Sequence, residues 1–260
     1  MWHQGKDLLG LDYESLRQIR GNRISYIFQD PLSTLHPLYT VGEQLTEAIL
    51  THQPVNKHVS RQRALELLQS VRIPNPEKRF DSYPHELSGG MRQRIGIAMA
   101  LANNPEIIIA DEPTTALDVT VQAQILSLLN DLRREKNISI IFITHDFGVV
   151  AQLCDRVAVM YAGQVVEEGS TNQILSCPSH PYTARLMSCV PELGDGRRRL
   201  EAIPGLPPAV DNLPHGCAFF ARCAKASSQC NLSPISSVEI SPGQRVRCLF
   251  PENINAQALI

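Results

Sequence analysis

Residues 87–94 read Leu-Ser-Gly-Gly-Met-Arg-Gln-Arg, and residues 107–113 read Ile-Ile-Ile-Ala-Asp-Glu-Pro. The first stretch places a serine and two glycines at the predicted start of a helix, where backbone N–H groups can face an anion. The second stretch is an apolar strand that ends in two adjacent carboxylates, Asp111 and Glu112, which are natural holders of Mg²⁺ and a hydrolytic water. The two stretches therefore predict a phosphate-binding helix start and a metal site at a strand end.

Buried strands alternate with amphipathic helices around these two stretches, as judged by the spacing of apolar residues. This alternation predicts an α/β layered fold with a largely parallel core sheet flanked by helices. The predicted strands are 23–28, 107–110 and 138–143, and the predicted helices are 41–52, 59–71, 91–102 and 119–134. Two further short strands, 156–161 and 164–168, are joined by a tight turn at Ala162-Gly163.

Four polar side chains stand where predicted strands end, which is where ligands bind in such sheets. Glu112 is the candidate catalytic residue that polarises an attacking water, and Asp111 would hold Mg²⁺ directly or through water. His145 would hydrogen-bond a γ-phosphate and orient the water. Gln29 would be a ligand of Mg²⁺ and of the water. The alternatives are a surface Asp-Glu pair, a structural histidine and a solvated turn.

Ser88, Gly89 and Gly90 are candidates for binding the γ-phosphate of a nucleotide presented by another subunit. Glycine allows close approach of the backbone, and a helix N-terminus supplies partial positive charge. The alternative is an ordinary helix N-cap with a flexible lead-in. A helix start is expected in both cases.

Composition narrows the class of protein. A chain of 260 residues with a net charge of −2 can bury a good core, and it shows no electrostatic sign of nucleic-acid binding. Its apolar runs are too short to cross a bilayer, and residues 1–20 have no signal-peptide pattern. We therefore expect a cytoplasmic chain whose membrane role comes through a partner.

Four of the seven cysteines, Cys217, Cys223, Cys230 and Cys248, are spaced C-x5-C-x6-C-x17-C near the end of the chain. Four thiolates suit zinc or an iron-sulfur cluster, although the spacing matches no common zinc ribbon. Disulfides would be unusual in a cytoplasmic chain. Four unlinked buried cysteines are the alternative. Prolines between 191 and 214 predict an extended connection that leads to this cysteine-bearing appendage.

The run from Gln29 to His145 resembles the ATP-binding subunits of ABC transporters, and further motifs resemble the dipeptide and oligopeptide importers. These motifs are Phe28-Gln29-Asp30-Pro31 with Leu35-His36-Pro37, Tyr83-Pro84-His85-Glu86-Leu87-Ser88-Gly89-Gly90-Met91, Val159-Met160-Tyr161-Ala162-Gly163, His180-Pro181-Tyr182-Thr183 and the cysteine tail. The resemblance covers roughly residues 5–250.

The resemblance implies roles for the candidate residues. Gln29 matches the Q-loop, Ser88 to Gly90 the signature motif, Asp111 and Glu112 the Walker B end, 116–118 with Asp118 the D-loop, and His145 the switch histidine. ATP and Mg²⁺ are the implied cofactors, and the cysteine tail implies a possible 4Fe-4S cluster. The expected domains are 1–190, a partial ABC nucleotide-binding domain with a helical subdomain at about 30–86, and 191–260, the transporter C-terminal extension.

The resemblance also implies partners. These are a second ABC ATPase subunit in a head-to-tail dimer, transmembrane permease subunits on which 30–86 docks, and a separate peptide-binding protein, with no nucleic acid. The chain would lie peripherally on the cytoplasmic face of the cell membrane.

One motif of the family is missing. A phosphate-binding Walker A loop, G-x-x-x-x-G-K-S/T, occurs nowhere in the 260 residues, so the sequence predicts an N-terminally shortened and catalytically incomplete ATPase subunit. A competing hypothesis is a non-catalytic subunit that lends only its signature motif to another ATPase. A third is an ABC ATPase of DNA repair or translation, against which the near-neutral charge and the cysteine tail count.

Overall fold

The computed structural model describes residues 2–30, 34–115, 117–189, 202–209 and 211–253. The chain divides into two compact units, Met1–His145 and Asp146–Ile260, which are described separately below. The domain boundary that the sequence predicts near residue 190 lies outside the described residues, as do Pro31, Ala116 and half of the predicted connection 191–214. The predicted domain division stays a prediction.

The first unit contains the predicted parallel sheet. It has three strands, β3 (Ile24–Ile27), β4 (Ile107–Asp111) and β5 (Ser139–Ile143), in the order β3-β4-β5. Both pairings are parallel, with Ile24 opposite Ile107 and Asp111 opposite Ile143. The carboxyl ends of all three strands therefore lie at one edge, which confirms the predicted fold class. A short hairpin of β1 (Trp2–His3) and β2 (Lys6–Asp7) precedes this sheet.

In the part of the first unit that the structure describes, six helices begin where a polar cap or a proline favours a helix start. They are α1 (Tyr13–Ile19), α2 (Val41–Leu50), α3 (Lys57–Ser70), α4 (Pro76–Phe80), α5 (Gly89–Leu101) and α6 (Val119–Lys136). Thr40 forms a capping box with Glu43 at the start of α2. Asn137, in the left-handed conformation, ends α6. Short 3₁₀ turns occur at Leu8–Gly10 and Pro84–Glu86.

One face of the three-stranded sheet packs into the core of the first unit, and the other is partly open. Ile27, Ile108 and Ala110 are buried among residues of α2, α3, α5 and α6. On the opposite face, Ile141 and Ile143 of β5 are 50% and 46% exposed. The strand alternation places these residues together, so the sheet presents an apolar surface on that side.

The second unit is built around an antiparallel sheet in the order β6-β7-β9-β8, with a small separate core. Its strands are β6 (Arg156–Tyr161), β7 (Gln164–Ser170), β8 (Val238–Ser241) and β9 (Gln244–Val246), and its helices are α7 (Phe147–Leu153), α8 (Thr171–Ser176) and α9 (Pro181–Ser188). The cysteine-bearing region adds β8, β9 and 3₁₀ turns at Phe220–Arg222 and Ser228–Asn231.

The predicted turn between β6 and β7 is confirmed. Ala162 and Gly163 have φ angles of +48° and +78°, and Tyr161 pairs with Gln164 on either side of them. Two positive φ angles in a two-residue loop match the twist of antiparallel strands. In the described part of the chain, every helix is too short or too polar to traverse a lipid bilayer.

Candidate functional site

Glu112 is the centre of a group of side chains at the carboxyl edge of the parallel sheet. Gln29, which follows β3, donates from Nε2 to Glu112 Oε2 at 2.8 Å. Thr115 Oγ1 donates to the same oxygen at 2.8 Å. His145, which follows β5, places Nδ1 2.9 Å from Glu112 Oε1. The structure thus brings together three of the predicted site residues and adds Thr115.

These neighbours keep Glu112 ionised. Hydrogen bonds from Thr115 and His145 lower the pKa of the Glu112 carboxyl, and the opposing effect of burial is smaller. An ionised carboxylate accepts protons and hydrogen bonds, as a group that polarises water must.

The backbone at Glu112 is also unusual. Its φ is +42°, in the left-handed region that a non-glycine residue seldom adopts, and its N–H donates to the carbonyl of Ile143 on β5 at 2.9 Å. Such conformations cluster at functional sites, where the surrounding structure holds them in place. The sequence gives no sign of this conformation.

Asp111 has a partner that the sequence analysis missed. The hydroxyl of Tyr26 on β3 donates to Asp111 Oδ2 at 2.7 Å, and this hydrogen bond raises the pKa of Tyr26. The sequence alone could not indicate this contact, because it depends on the pairing of β3 with β4, which places Tyr26 opposite Ile109 on the face of β4 that Asp111 shares. Tyr26 therefore fixes the orientation of the predicted Mg²⁺ ligand.

The donors at this edge suit magnesium, which prefers oxygen ligands and commonly takes one or two carboxylates together with substrate phosphates and waters. Asp111, Glu112 and the amide oxygen of Gln29 are such donors. Among the described residues no three histidine, cysteine, aspartate or glutamate side chains are grouped to hold a metal ion by themselves. A bound Mg²⁺ would therefore complete its coordination with nucleotide and water.

Comparison with known proteins identifies the family of the chain. Residues 2–115 match the ABC transporter family, and residues 166–230 match the oligopeptide/dipeptide transporter C-terminal region. The chain is 50% identical to a probable peptide ABC transporter ATP-binding protein of Sinorhizobium fredii over 94% of this chain and 73% of that protein. It is 54% identical to an oligopeptide transport ATP-binding protein of Bacillus subtilis over 86% of this chain and 63% of that protein.

The chain belongs to the ATP-binding subunits of peptide ABC transporters. Its fold is also similar to solved ABC cassettes. A dimeric ATP-binding cassette in a post-hydrolysis state with ADP and Pi has a TM-score of 0.59 and 32% identity, covering 65% of this chain and 72% of that one. A dimeric bacterial ABC transporter cassette has a TM-score of 0.55 and 35% identity, covering 62% and 68%.

The predicted signature motif lies apart from the Glu112 group, at the start of α5. Ser88 is the N-cap, and its hydroxyl accepts a hydrogen bond from the N–H of Met91 at 3.4 Å. A Cβ at Gly90 would lie 2.7 Å from a methyl carbon of Val121 on α6, so close helix packing accounts for this glycine. Ser88 and Gly89 are exposed, and the helix start is open to a ligand.

Asp118 caps α6, where its Oδ1 accepts from the N–H of Val121 at 2.9 Å. It is exposed, and its described contact belongs to the helix cap. Ala116, the first residue of the predicted D-loop, lies outside the described residues. The structure therefore gives Asp118 a capping function and leaves its predicted part in nucleotide binding as a prediction.

The four C-terminal cysteines come together around one small cavity of about 20 Å³. Burial raises the pKa of the Cys217 and Cys223 thiols and raises that of Cys248 to about 11, and negative charge on neighbouring cysteines would add to the effect. These four thiols form no disulfide bond. No group of three or more ligands among the described residues is arranged to hold a metal ion, so the predicted iron-sulfur site is not supported as a ready-made ligand set.

Proposed function

We propose that this chain is the subunit that binds and hydrolyses ATP to energise the import of di- or oligopeptides. The observation that carries the proposal is the Glu112 carboxylate, which is held by Gln29, Thr115 and His145 at the carboxyl edge of the parallel sheet, where ligands bind in such folds. Membership of the peptide transporter family supports the substrate class.

Each side chain then has a defined part in hydrolysis. Glu112 accepts a hydrogen bond from the attacking water and polarises it, and His145 orients this water and the γ-phosphate. Asp111, oriented by Tyr26, and the amide oxygen of Gln29 would hold Mg²⁺. When bound, Mg²⁺ neutralises charge that develops on the phosphate oxygens.

The signature motif acts on a second site, in the proposed head-to-tail dimer. The N–H groups at Gly89 and Gly90, with the partial positive charge of the α5 N-terminus, face the γ-phosphate of a nucleotide bound to the other ATPase subunit. The open helix start and its N-cap support this part.

A second candidate function is a subunit that lends only its signature motif to another ATPase. The observation that favours it is the exposed helix start at Ser88 and Gly89, which needs no nucleotide bound to this chain itself. In this case Glu112 and His145 would not act on a nucleotide, whereas Ser88 to Gly90 would.

Paired variants in a complex with a second ATPase subunit of the family separate the two functions. Glu112→Gln removes the carboxylate, Ser88→Arg blocks the helix start, and Glu135→Gln, at an exposed position of α6, is the matched control. If the chain hydrolyses ATP, Glu112→Gln lowers Mg²⁺-dependent phosphate release by about 100-fold or more. If only Ser88→Arg lowers it, the chain lends its signature motif and our proposal is wrong. Mg²⁺-dependent binding of fluorescent ATP to the isolated chain would argue against the second function.

We further propose that the helical subdomain docks on a transmembrane permease subunit through a groove between α2 and α4. The groove is open, with a volume of about 540 Å³. Its lining combines apolar Leu50 and Phe80 with two acidic side chains and one basic side chain, which suits a short amphipathic segment with basic residues. The residues that line it are Gly42, Glu43, Thr46, Glu47, Leu50, Thr51, Lys57 and Phe80.

Reversing the charge of one acidic residue that lines the groove tests the docking proposal. Glu47→Lys is expected to reduce co-purification with the permease, because it opposes basic residues. Glu66→Lys on α3 makes the same charge change at an exposed position outside the lining residues and serves as the control. Equal recovery of permease with the two variants would contradict the docking proposal.

The wider assembly is part of the same proposal. A separate peptide-binding protein would deliver the peptide, and the chain would attach peripherally at the cytoplasmic face of the membrane. Family membership supports both parts.

We also propose that the cysteine cavity takes up an iron-sulfur cluster. The convergence of four thiols on one cavity supports this, since iron-sulfur clusters are held by four cysteine thiolates. Iron and acid-labile sulfide in chain purified without oxygen would be lost in Cys230→Ser and retained in Cys177→Ser, an exposed control. Colourless, iron-free protein after anaerobic reconstitution would contradict this part.

A further inference from the structure

Arg94 links the helix that begins at the signature motif to two other helices of the first unit. It lies on α5, six residues after the N-cap Ser88. Its Nη1 donates to the carbonyl of Val71, the C-cap of α3, at 3.0 Å. Its Nη2 donates to Oε1 of Gln124 on α6 at 3.1 Å. One guanidinium therefore connects α5 to the end of α3 and to α6.

The contact with α6 bears on how two helix starts lie beside each other. At the start of α5, Gly90 packs so closely on α6 that a Cβ at Gly90 would lie 2.7 Å from a methyl carbon of Val121. Arg94 and Gln124 come about one turn later on the same two helices, since residues three or four apart share a helix face. Two contacts one turn apart restrict sliding and rotation of α5 against α6. The bond between Arg94 and Gln124 therefore helps to set the angle at which the N-terminus of α5 is presented.

The position of Arg94 is costly for stability alone. Its guanidinium is half-buried, and burial lowers the pKa of Arg94, which the positive charge of Arg72 lowers further. The cost is partly offset, because the Val71 carbonyl lies at the negative C-terminal end of α3 and Arg72 is paired with Asp131 at 2.7 Å. A cation taken partly out of water beside another cation nevertheless breaks a local rule of folding. Such exceptions are expected mainly at functional sites.

We infer that Arg94 is a positioning residue for ATP hydrolysis, which holds the α5 N-terminus at the angle needed for Ser88 and Gly89 to face the γ-phosphate on the other ATPase subunit. The inference rests on the proposed part of the signature motif in hydrolysis. The Arg94 guanidinium is engaged with α3 and α6, so it acts by orienting the helix and does not contact the nucleotide. Small errors in the position of groups that face the reacting phosphate reduce the rate steeply. The competing explanation is that Arg94 only stabilises the packing of three helices.

Three variants separate positioning from stability. Arg94→Met keeps most of the side-chain length and removes both hydrogen bonds. In the double variant, Arg94→Gln with Gln124→Arg, the guanidinium and the amide exchange helices, so that a bond between α5 and α6 forms again while the bond to Val71 does not. Arg134→Met removes one positive charge at an exposed position of α6 and is the control.

The experiment uses the complex with a second ATPase subunit whose own signature serine has been replaced by arginine. The remaining site then pairs the other subunit's nucleotide with Ser88 to Gly90 of this chain. Phosphate release is measured against the concentration of Mg-ATP, under conditions in which urea denaturation shows every variant folded. We expect Arg94→Met to lower kcat by about 10-fold or more, with a smaller change in KM because the other subunit holds most of the nucleotide. The double variant is expected to recover most of the lost kcat, and Arg134→Met to match the wild type.

A wild-type kcat for Arg94→Met would overturn the inference. A lowered kcat that the double variant does not recover would also overturn it, because Arg94 would then act without orienting α5 against α6. Ser88→Arg in the same complex tests the proposed function separately. If Ser88→Arg abolishes turnover and Arg94→Met does not lower it, the inference alone fails. If Ser88→Arg leaves turnover unchanged, the signature motif has no part in hydrolysis and both fail.

Discussion

At the scale of single residues, Glu112 shows how a site forms from separate segments. Its carboxylate receives hydrogen bonds from Gln29, Thr115 and His145, which belong to the ends of β3, β4 and β5. Parallel pairing brings the three strand ends to one edge, so residues far apart in sequence become neighbours. The φ of Glu112 is positive, which glutamate seldom adopts. The surrounding site therefore determines this backbone conformation more than the preference of glutamate does.

We predict that Thr115→Val raises the pKa of the Glu112 carboxyl towards its ordinary value. The Thr115 hydroxyl is the largest cause of the lowered pKa, because it donates to the ionised form. Without it the protonated form gains, so Glu112 titrates at higher pH than in the wild type. Carboxyl ¹³C NMR of the metal-free chain measures this, and Thr114→Val is the control. An unchanged titration in Thr115→Val would exclude the hydrogen bond.

At the scale of elements, close helix packing explains why glycine occurs at a position outside the recognised motifs. Gly42 on α2 faces the ring of Phe80 on α4, and a Cβ at Gly42 would lie 2.1 Å from the nearest ring carbon. These helices border the groove proposed for permease docking. Contact of this closeness needs glycine.

Gly42→Ala is predicted to destabilise the first unit by about 1–3 kcal/mol, because the added methyl forces the Phe80 ring or the helix to move. Urea denaturation measures the loss. Gly10→Ala, where a Cβ would meet nothing within 4 Å, should cost less than about 0.5 kcal/mol. Similar stability in the two variants would show that α2 and α4 do not approach as described.

The three-stranded sheet also has an exposed apolar face, which affects association between copies of the chain. Ile141 and Ile143 project from the open face of β5 at 50% and 46% exposure, beside Tyr26 and Phe28, which are 38% and 52% exposed. A contiguous exposed apolar face promotes association between copies of a chain.

The double substitution of Ile141 and Ile143 to Thr is predicted to reduce aggregation of the isolated chain while leaving its melting behaviour nearly unchanged. Threonine keeps the β-branched shape that strands favour and removes apolar surface. Light scattering at matched concentrations measures the change. Ile140→Thr, which alters a partly buried residue packed on the core, should instead destabilise the chain. Greater scattering by the double variant would refute this account.

At the scale of the whole molecule, the two units have separate cores and separate sheets. In the second unit, Glu167 connects three segments, because its buried carboxylate accepts hydrogen bonds from Ser179, His180 and the Gln244 side chain. This joins β7 to the segment before α9 and to β9 of the cysteine-bearing region. A buried carboxylate is tolerated here because all its donors are supplied by the fold.

We predict that Glu167→Gln destabilises the second unit by about 1–3 kcal/mol and leaves the first unit unaffected. The amide nitrogen of glutamine would face a donor, and at least one buried N–H would lose its acceptor. Hydrogen exchange with mass spectrometry reports the two units separately. Glu168→Gln, whose carboxylate is partly exposed and pairs with Arg245, should cost less than about 1 kcal/mol. Equal exchange changes in both units would contradict their independence.

Much of this protein could be predicted from sequence, because helix and strand periods repeat over short distances. The apolar run before Asp111 predicts a buried strand, and Ser88 before Gly89 predicts a helix start; both are confirmed. The motifs also predict the family. The sequence indicates that Gln29, Asp111, Glu112 and His145 end strands, which parallel pairing then places at one edge.

What only the tertiary structure decided is which side chains meet once the strands pair. Neither the contact of Tyr26 with Asp111 nor the joining of β9 to β7 has a local sequence signal, since each depends on register between segments about 80 residues apart. The same holds for His180, which lines one cavity with cysteines that begin 37 residues later only because the chain folds back through Glu167 and Gln244. Local residue patterns determine elements, whereas packing between distant segments determines the environment in which their side chains react.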